Sequence, residues 1–185
     1  MLQFLRDTLV GAPIPSDPKK RGEYYYNEGR AYEAGEKGSN GVEWNTYYAC
    51  IEYIQAAECG HVGGMMRAAQ LSYDQVRASH TTENVPSTGY RYGDTAYKWF
   101  REAALREYPH AATNAIDVLA SGYYKNPTAT DLAEMVELAK KNGDPWEEKA
   151  HITPHTLKRV RDAQAKNVSL ITLFKSLFQY RPKSD

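Results

Sequence analysis

Few residues in this chain have the type and spacing that chemistry needs. Cys59-x-His61 sets a thiol and an imidazole two residues apart, a possible start for a metal site. Zinc takes four such ligands, and no second pair completes the set. His151 and His155 are four apart and would share one helix face. Pro154 between them marks a helix start, so one histidine falls outside the helix and the pair reads as a polar turn. Glu33, Glu36 and Glu58 fall in helical patterns where solvated surface is the ordinary reading of a carboxylate. A Gly-x-Ser-x-Gly elbow, a phosphate-cradling Gly-rich loop and a His-Glu-x-x-His zinc helix are all missing. The residues therefore offer no catalytic constellation, metal site or cofactor site, and the expectation is a protein that is not an enzyme.

Binding is better provided for. Of the fifteen tyrosines, Tyr24, Tyr25 and Tyr26, Tyr47 and Tyr48, and Tyr90 and Tyr92 stand together or nearly so. Neighbours on a helix point about 100° apart, so they cannot all enter one core. Some must face the surface, where tyrosine gives large contact area for little lost entropy. Tyr90 and Tyr92 end a polar stretch, His80 to Tyr92, that carries Pro86 and Gly89 and reads as an inserted loop.

The elements that must position these residues come from a repeated pattern. AYKWFREAALREYPHA, from Ala96 to Ala111, matches ACIEYIQAAECGHVGG, from Ala49 to Gly64, 47 residues earlier. Both open on alanine, place an aromatic at plus four (Tyr53, Phe100), and set two alanines at plus seven and eight. Those offsets lie on one helix stripe, where bare methyl groups admit a neighbouring helix closely. A weaker pattern, Gly29-x-x-Tyr32-x-x-Gly35, belongs to a partner helix, and Ala69 and Ile116 take the place of Gly29 in later copies. The spacing predicts helix A of unit one over 20–34, a loop over 35–44, and helix B over 45–59. It predicts helix A of unit two over 62–78, then helix B over 95–107, capped by Asp94. Helix A of unit three follows over 109–123. Thr128-x-x-Asp131 and Asp144-x-x-Glu147 read as capping boxes opening helices at 129–142 and 145–151. Short helices are expected at 2–10, from 153 to 166, and at 168–180, the last with Leu170, Leu173, Phe174, Leu177 and Phe178 on one stripe.

This pairing resembles the Sel-one-like repeat family, a branch of the tetratricopeptide-like α-solenoids. The residues that carry it are Gly29, Tyr32, Gly35, Gly41-Val42, Ala49, Tyr53, Ala56-Ala57-Glu58 and Gly60. In the next unit they are Ala96, Trp99-Phe100, Ala103-Ala104 and Ala111. Leu132, Met135-Val136, Ala139 and Gly143 mark a degenerate third unit. Glu107 stands where the turn glycine belongs, Lys140 replaces the second alanine, and Ile116 replaces the helix A glycine. The resemblance implies an all-α fold, a right-handed α-solenoid of antiparallel helix pairs in about three units. Size priors make 1–185 a single domain, with an N-terminal cap and loop over 1–21, repeats over 22–145 and C-terminal capping helices over 146–185.

In solenoids of this kind the A helices line the concave side. Aligned on Gly29, Ala69 and Ile116, they present three rows: Asn27, Arg67, Asn114; Arg30, Gln70, Asp117; and Ala34, Asp74, Ser121. Eight of these nine are polar, which suggests a lane able to take a partner segment of both charge signs. Asn27, Arg30, Arg67, Gln70, Asp74, Asn114 and Asp117, with Tyr90 and Tyr92 of the loop, are the expected partner-binding residues.

Lys+Arg and Asp+Glu both total 23, and this balance argues against nucleic acid as the main partner. From His151 onward seven Lys/Arg stand against two Asp, a basic end on an otherwise acidic chain. Cys50 and Cys59, nine apart on one helix, would lie about 13 Å from each other, too far for a disulfide. Free thiols suit a reducing compartment, and Arg6 and Asp7 interrupt the apolar N-terminus, so a cytoplasmic protein without a signal peptide or membrane span is expected. The expected function is that of an adaptor or scaffold binding another protein through a groove and the inserted loop. An immunity protein neutralising a toxin and a hydrolase with an unrecognised site remain the alternatives.

Overall fold

A computed structural model describes residues 13–35, 45–79, 87–121, 123–124 and 127–144. Six helices occur among them: α1 (Pro18–Ala34), α2 (Thr46–Glu58), α3 (Val62–Ser79), α4 (Ser87–Leu105), α5 (Ala111–Ser121) and α6 (Ala129–Asn142). The described chain is all-α, with sequence-adjacent helices packed in pairs. It divides into two compact units at Leu71/Ser72, a boundary that α3 crosses. The helices expected at 2–10, 145–151, 153–166 and 168–180 lie outside the described residues.

Local chemistry sets the helix ends. Asp17 accepts from the Lys20 amide at 2.9 Å with Pro18 in the first turn, and Gly35 closes α1 in the left-handed region. Asn45 accepts from the Tyr47 amide and opens α2. His61 opens α3, its Nδ1 accepting from the Gly64 amide at 3.0 Å. Thr128 and Asp131 form the expected reciprocal cap on α6, and Gly143 closes it.

In the first unit the small residues of the repeat do the work expected of them. Ala49, Tyr53, Ala56 and Ala57 of α2 are buried, as are Tyr25 and Tyr32 of α1. Gly29 lies flat against the Tyr53 ring, so close that a methyl group there would stand 2.8 Å from the ring carbons. Gly22 meets Cys59 and His61, and the Tyr32 and Tyr48 rings stand 5.8 Å apart. Advancing along α1 therefore retreats along α2, and the pair is antiparallel. Tyr26 stacks on His61 and Glu33 pairs with Arg67, so α3 starts out in the same direction as α1.

In the second unit α4 packs on α5, α5 on α6, and α4 on α6. Phe100, Ala103 and Ala104 of α4, Ile116 and Leu119 of α5, and Leu132 and Met135 of α6 are all buried. Tyr97 bonds Asp131, Arg101 bonds Glu134, and the Ala104 carbonyl accepts from Asn142, so α4 and α6 run the same way. The α4–α5 turn places Glu107 and His110 at φ 58 and 63, unusual for residues with a Cβ. The end of α6 holds that turn: Asp144 accepts from the His110 amide at 2.8 Å, and Lys141 pairs with Glu107.

The structure corrects one stretch. Residues 87–92 are not loop but the first turns of α4, which places Tyr90 and Tyr92 on a helix and Asp94 in its interior rather than at its cap. Pro86 and Gly89 read as loop punctuation because proline and glycine are poor helix formers. Gly93, one residue beyond that stretch and inside α4, has a packing reason to be glycine: the Tyr123 backbone crosses where its side chain would be.

Candidate functional site

Three of the expected partner-binding residues come together. Asn27 and Arg30 from α1 and Arg67 from α3, with Ala31, Glu33 and Ala34, line an open cavity of about 530 Å³ in the first unit. The helical offset of three places Asn27 and Arg30 on one stripe of α1, and α3 runs alongside and brings Arg67 over. Among the described residues neither Asn27 nor Arg30 has a hydrogen-bond or ion-pair partner, and both are exposed.

Arg67 is different. Its Nε donates to Glu33 Oε2 at 3.2 Å, and Nη2 donates to Oε1 of the same carboxylate. The buried Tyr53 hydroxyl donates to Glu33 Oε2 at 2.6 Å, and the Arg67 guanidinium lies 6.0 Å from the Tyr53 ring centre. Burial, then the carboxylate of Glu33, push the Tyr53 hydroxyl well above its ordinary range. Burial works against the charge on Arg67, but Glu33 outweighs it and holds the guanidinium protonated. Glu33 thus joins helices α1, α2 and α3 and is not the solvated carboxylate that its pattern suggests. With its oxygens engaged, the surplus donors that line the cavity are the Arg30 and Arg67 guanidinium groups, beside the Asn27 amide, which can donate and accept.

The other expected residues do not enter this cavity. Gln70 is exposed on α3. Asp74, Asn114 and Asp117 belong to the second unit, where the Tyr73 hydroxyl donates to the Asp117 carbonyl at 3.4 Å. Tyr92 is 38% exposed on α4. The Tyr90 side chain lies outside the described residues.

A second cavity, of about 490 Å³, lies between α4 and α6 and was not expected from the sequence. Its wall is Tyr97 and Tyr124, ring centres 4.4 Å apart. Arg101 makes a two-pronged bond to Glu134, at 2.9 and 2.6 Å. The bridging pairs share a spacing that a reader of the sequence could have used. Glu33–Arg67, Tyr97–Asp131 and Arg101–Glu134 are 34, 34 and 33 residues apart, one helix pair along the chain.

Cys50 and Cys59 are not joined in a disulfide, and no group of three or more His, Cys, Asp or Glu among the described residues is placed to hold a metal ion. No described helix is long and apolar enough to cross a membrane. Comparison of the chain with models of protein families, with curated proteins and with solved structures finds no match, so the likeness to Sel-one-like repeats rests on the quoted residues alone.

Proposed function

We propose that this chain is a short right-handed α-solenoid that recognises another protein, as an adaptor or scaffold, through the groove lined by Asn27, Arg30 and Arg67. The observation that carries the reading is the surplus of hydrogen-bond donors there. An exposed guanidinium and an amide without protein partners stand beside a third donor fixed in place by Glu33 and Tyr53. A groove of that chemistry fits acceptors, the carboxylate and carbonyl oxygens of a partner segment. The solenoid part of the reading is supported by helix direction. In the first unit α3 starts parallel to α1 with α2 reversed beside them, and in the second α6 runs parallel to α4, as helices one repeat apart do.

A photo-crosslinking amino acid placed at Ala34, on the rim of the groove, identifies the occupant in the producing cell. The binding of that purified partner is then measured by calorimetry. Arg30→Glu is expected to weaken it about tenfold or more, since a charged hydrogen bond is lost and a like charge introduced. Asn27→Ala is expected to weaken it less. Unchanged affinity in both variants, with circular dichroism showing them folded, would remove the groove from the interface.

A further inference from the structure

Asn-Gly occurs twice in the sequence: at Asn40–Gly41, which lies outside the described residues, and at Asn142–Gly143. A glycine after asparagine lets the chain bend its amide nitrogen onto the asparagine side chain, the first step of deamidation. At Asn142 the fold opposes that step from both sides. Asn142 is the last residue of α6, and a helical ψ of about −42° turns the Gly143 nitrogen away from the side-chain carbonyl carbon. That nitrogen also donates to the Lys140 carbonyl at 3.2 Å, with Gly143 held at φ 69. On the other side, Asn142 Nδ2 donates to the Ala104 carbonyl of α4 at 3.1 Å. Exclusion of water takes no part, since Gly143 is exposed.

The same side chain sits where an acid is poorly tolerated. Its Oδ1 is buried and has no hydrogen-bond partner among the described residues. A carboxylate at 142 would set a charge beside the Ala104 carbonyl oxygen, with no N–H left to donate. Two residues on, Asp144 accepts from the His110 amide at 2.8 Å and steadies the α4–α5 turn. We propose that Asn142 is a deamidation site kept closed by the packing of α6 on α4, and that its product weakens that packing permanently. The chemistry needs only water as co-reactant. The Gly143 nitrogen bonds to the Asn142 side-chain carbonyl carbon, and Nδ2 leaves as ammonia with the proton that the Gly143 nitrogen gives up. Water then opens the cyclic imide at either carbonyl. One opening gives aspartate. The other gives isoaspartate, which lengthens the main chain by one carbon just before Gly143 and Asp144. The site uses no residue of the Arg30 groove and stands whether or not that groove binds a partner.

The test follows deamidation of the purified full chain in warm, mildly alkaline buffer, with a parallel sample in guanidinium chloride. Peptide mapping reads Asn142 separately from Asn40, and an isoaspartyl methyltransferase assay reports the isoaspartate. A synthetic peptide of residues 136–148, kept in the same two solvents, corrects for the solvent itself. In the chain, Asn142 should react about tenfold or more slowly in buffer than in denaturant. Thr128→Ala removes the cap at the far end of α6 without touching Asn142. It should speed the reaction in buffer about threefold or more, with circular dichroism showing the variant folded. Asn142→Asp should lower the urea midpoint further than Asn142→Ala, which loses the same bond without adding a charge. A rate in buffer equal to that of the peptide, or one unmoved by Thr128→Ala, would overturn the assignment. So would an Asn142→Asp midpoint no lower than that of Asn142→Ala.

Discussion

Glu33 accepts from Tyr53 and from two nitrogens of Arg67, and its removal strands donors of unequal burial. Tyr53 is wholly buried, so its hydroxyl would lose its partner where water cannot replace it. Arg67 keeps 39% of its side chain exposed and is partly rehydrated. Glu33→Ala should therefore destabilise the fold by about 1–3 kcal/mol, chiefly through Tyr53. Tyr53→Phe removes the donor with its need and should cost only about 1 kcal/mol. In urea unfolding the double variant should cost less than the two singles together, because they share one bond. Asn27 and Arg30 were legible as one stripe of α1 from helical period, and Arg67 beside them from the alignment of A helices that the resemblance implies. Glu33 was not, since its partners lie 20 and 34 residues away and nothing local marks it.

His61 carries a pH dependence. Its Nδ1 must be unprotonated to accept the Gly64 amide, and its ring stacks on Tyr26 at 4.4 Å. Burial lowers its pKa below 6.5, with Glu23 pulling weakly the other way. A histidine whose folded pKa lies below its unfolded value resists protonation in the fold. Stability is thus full above about pH 6.5, declines as pH falls from there towards the folded pKa, and then levels off. The urea midpoint should drop between pH 7.5 and 5. His61→Ser keeps a capping oxygen without a titrating ring, and the part of that drop due to this residue should vanish in it.

At the scale of elements, the two helix B turns differ in one instructive place. Gly60 has φ 85, and Glu107, 47 residues later, has φ 58. The same left-handed step is made with and without a Cβ. Gly60→Ala should cost about 1 kcal/mol, while Glu107→Gly should raise the urea midpoint, since the Lys141 pair it gives up is solvent-exposed. A midpoint lowered by Glu107→Gly would mean that the clamp from α6 matters more than the strain it restrains. Most helix bounds were legible to within two residues because signals such as Asp17-Pro18 and the Thr128 capping box are local chemistry. The start of α4 was hidden because Pro86 and Gly89, poor helix formers in a polar stretch, read as loop although the helix begins at Ser87. Ala56-Ala57 and Ala103-Ala104 show the reverse case, where the spacing and the small side chain together announce a buried helix contact.

For the molecule as a whole, the packed helix pairs among the described residues are one or two places apart along the chain. Stability in such a chain is expected to add up locally, each helix pair answering mainly to its neighbours. Phe100 is buried within the second unit, and Phe100→Ala should cost that unit about 3–5 kcal/mol. Native-state hydrogen exchange reads the cost helix by helix. The slowest amides of α4, α5 and α6 should exchange about two to four orders of magnitude faster, in line with that free energy. Those of α1 and α2, which belong to the first unit, should keep their rates within about threefold. Tyr53→Ala should produce the mirror pattern, with α1 and α2 losing protection while α5 and α6 retain theirs. Because α3 crosses the boundary at Leu71/Ser72, its first half should follow α2 and its second half α5. Equal acceleration at every helix in either variant would instead describe one all-or-none block, and the additive picture of stacked repeats would have to be given up.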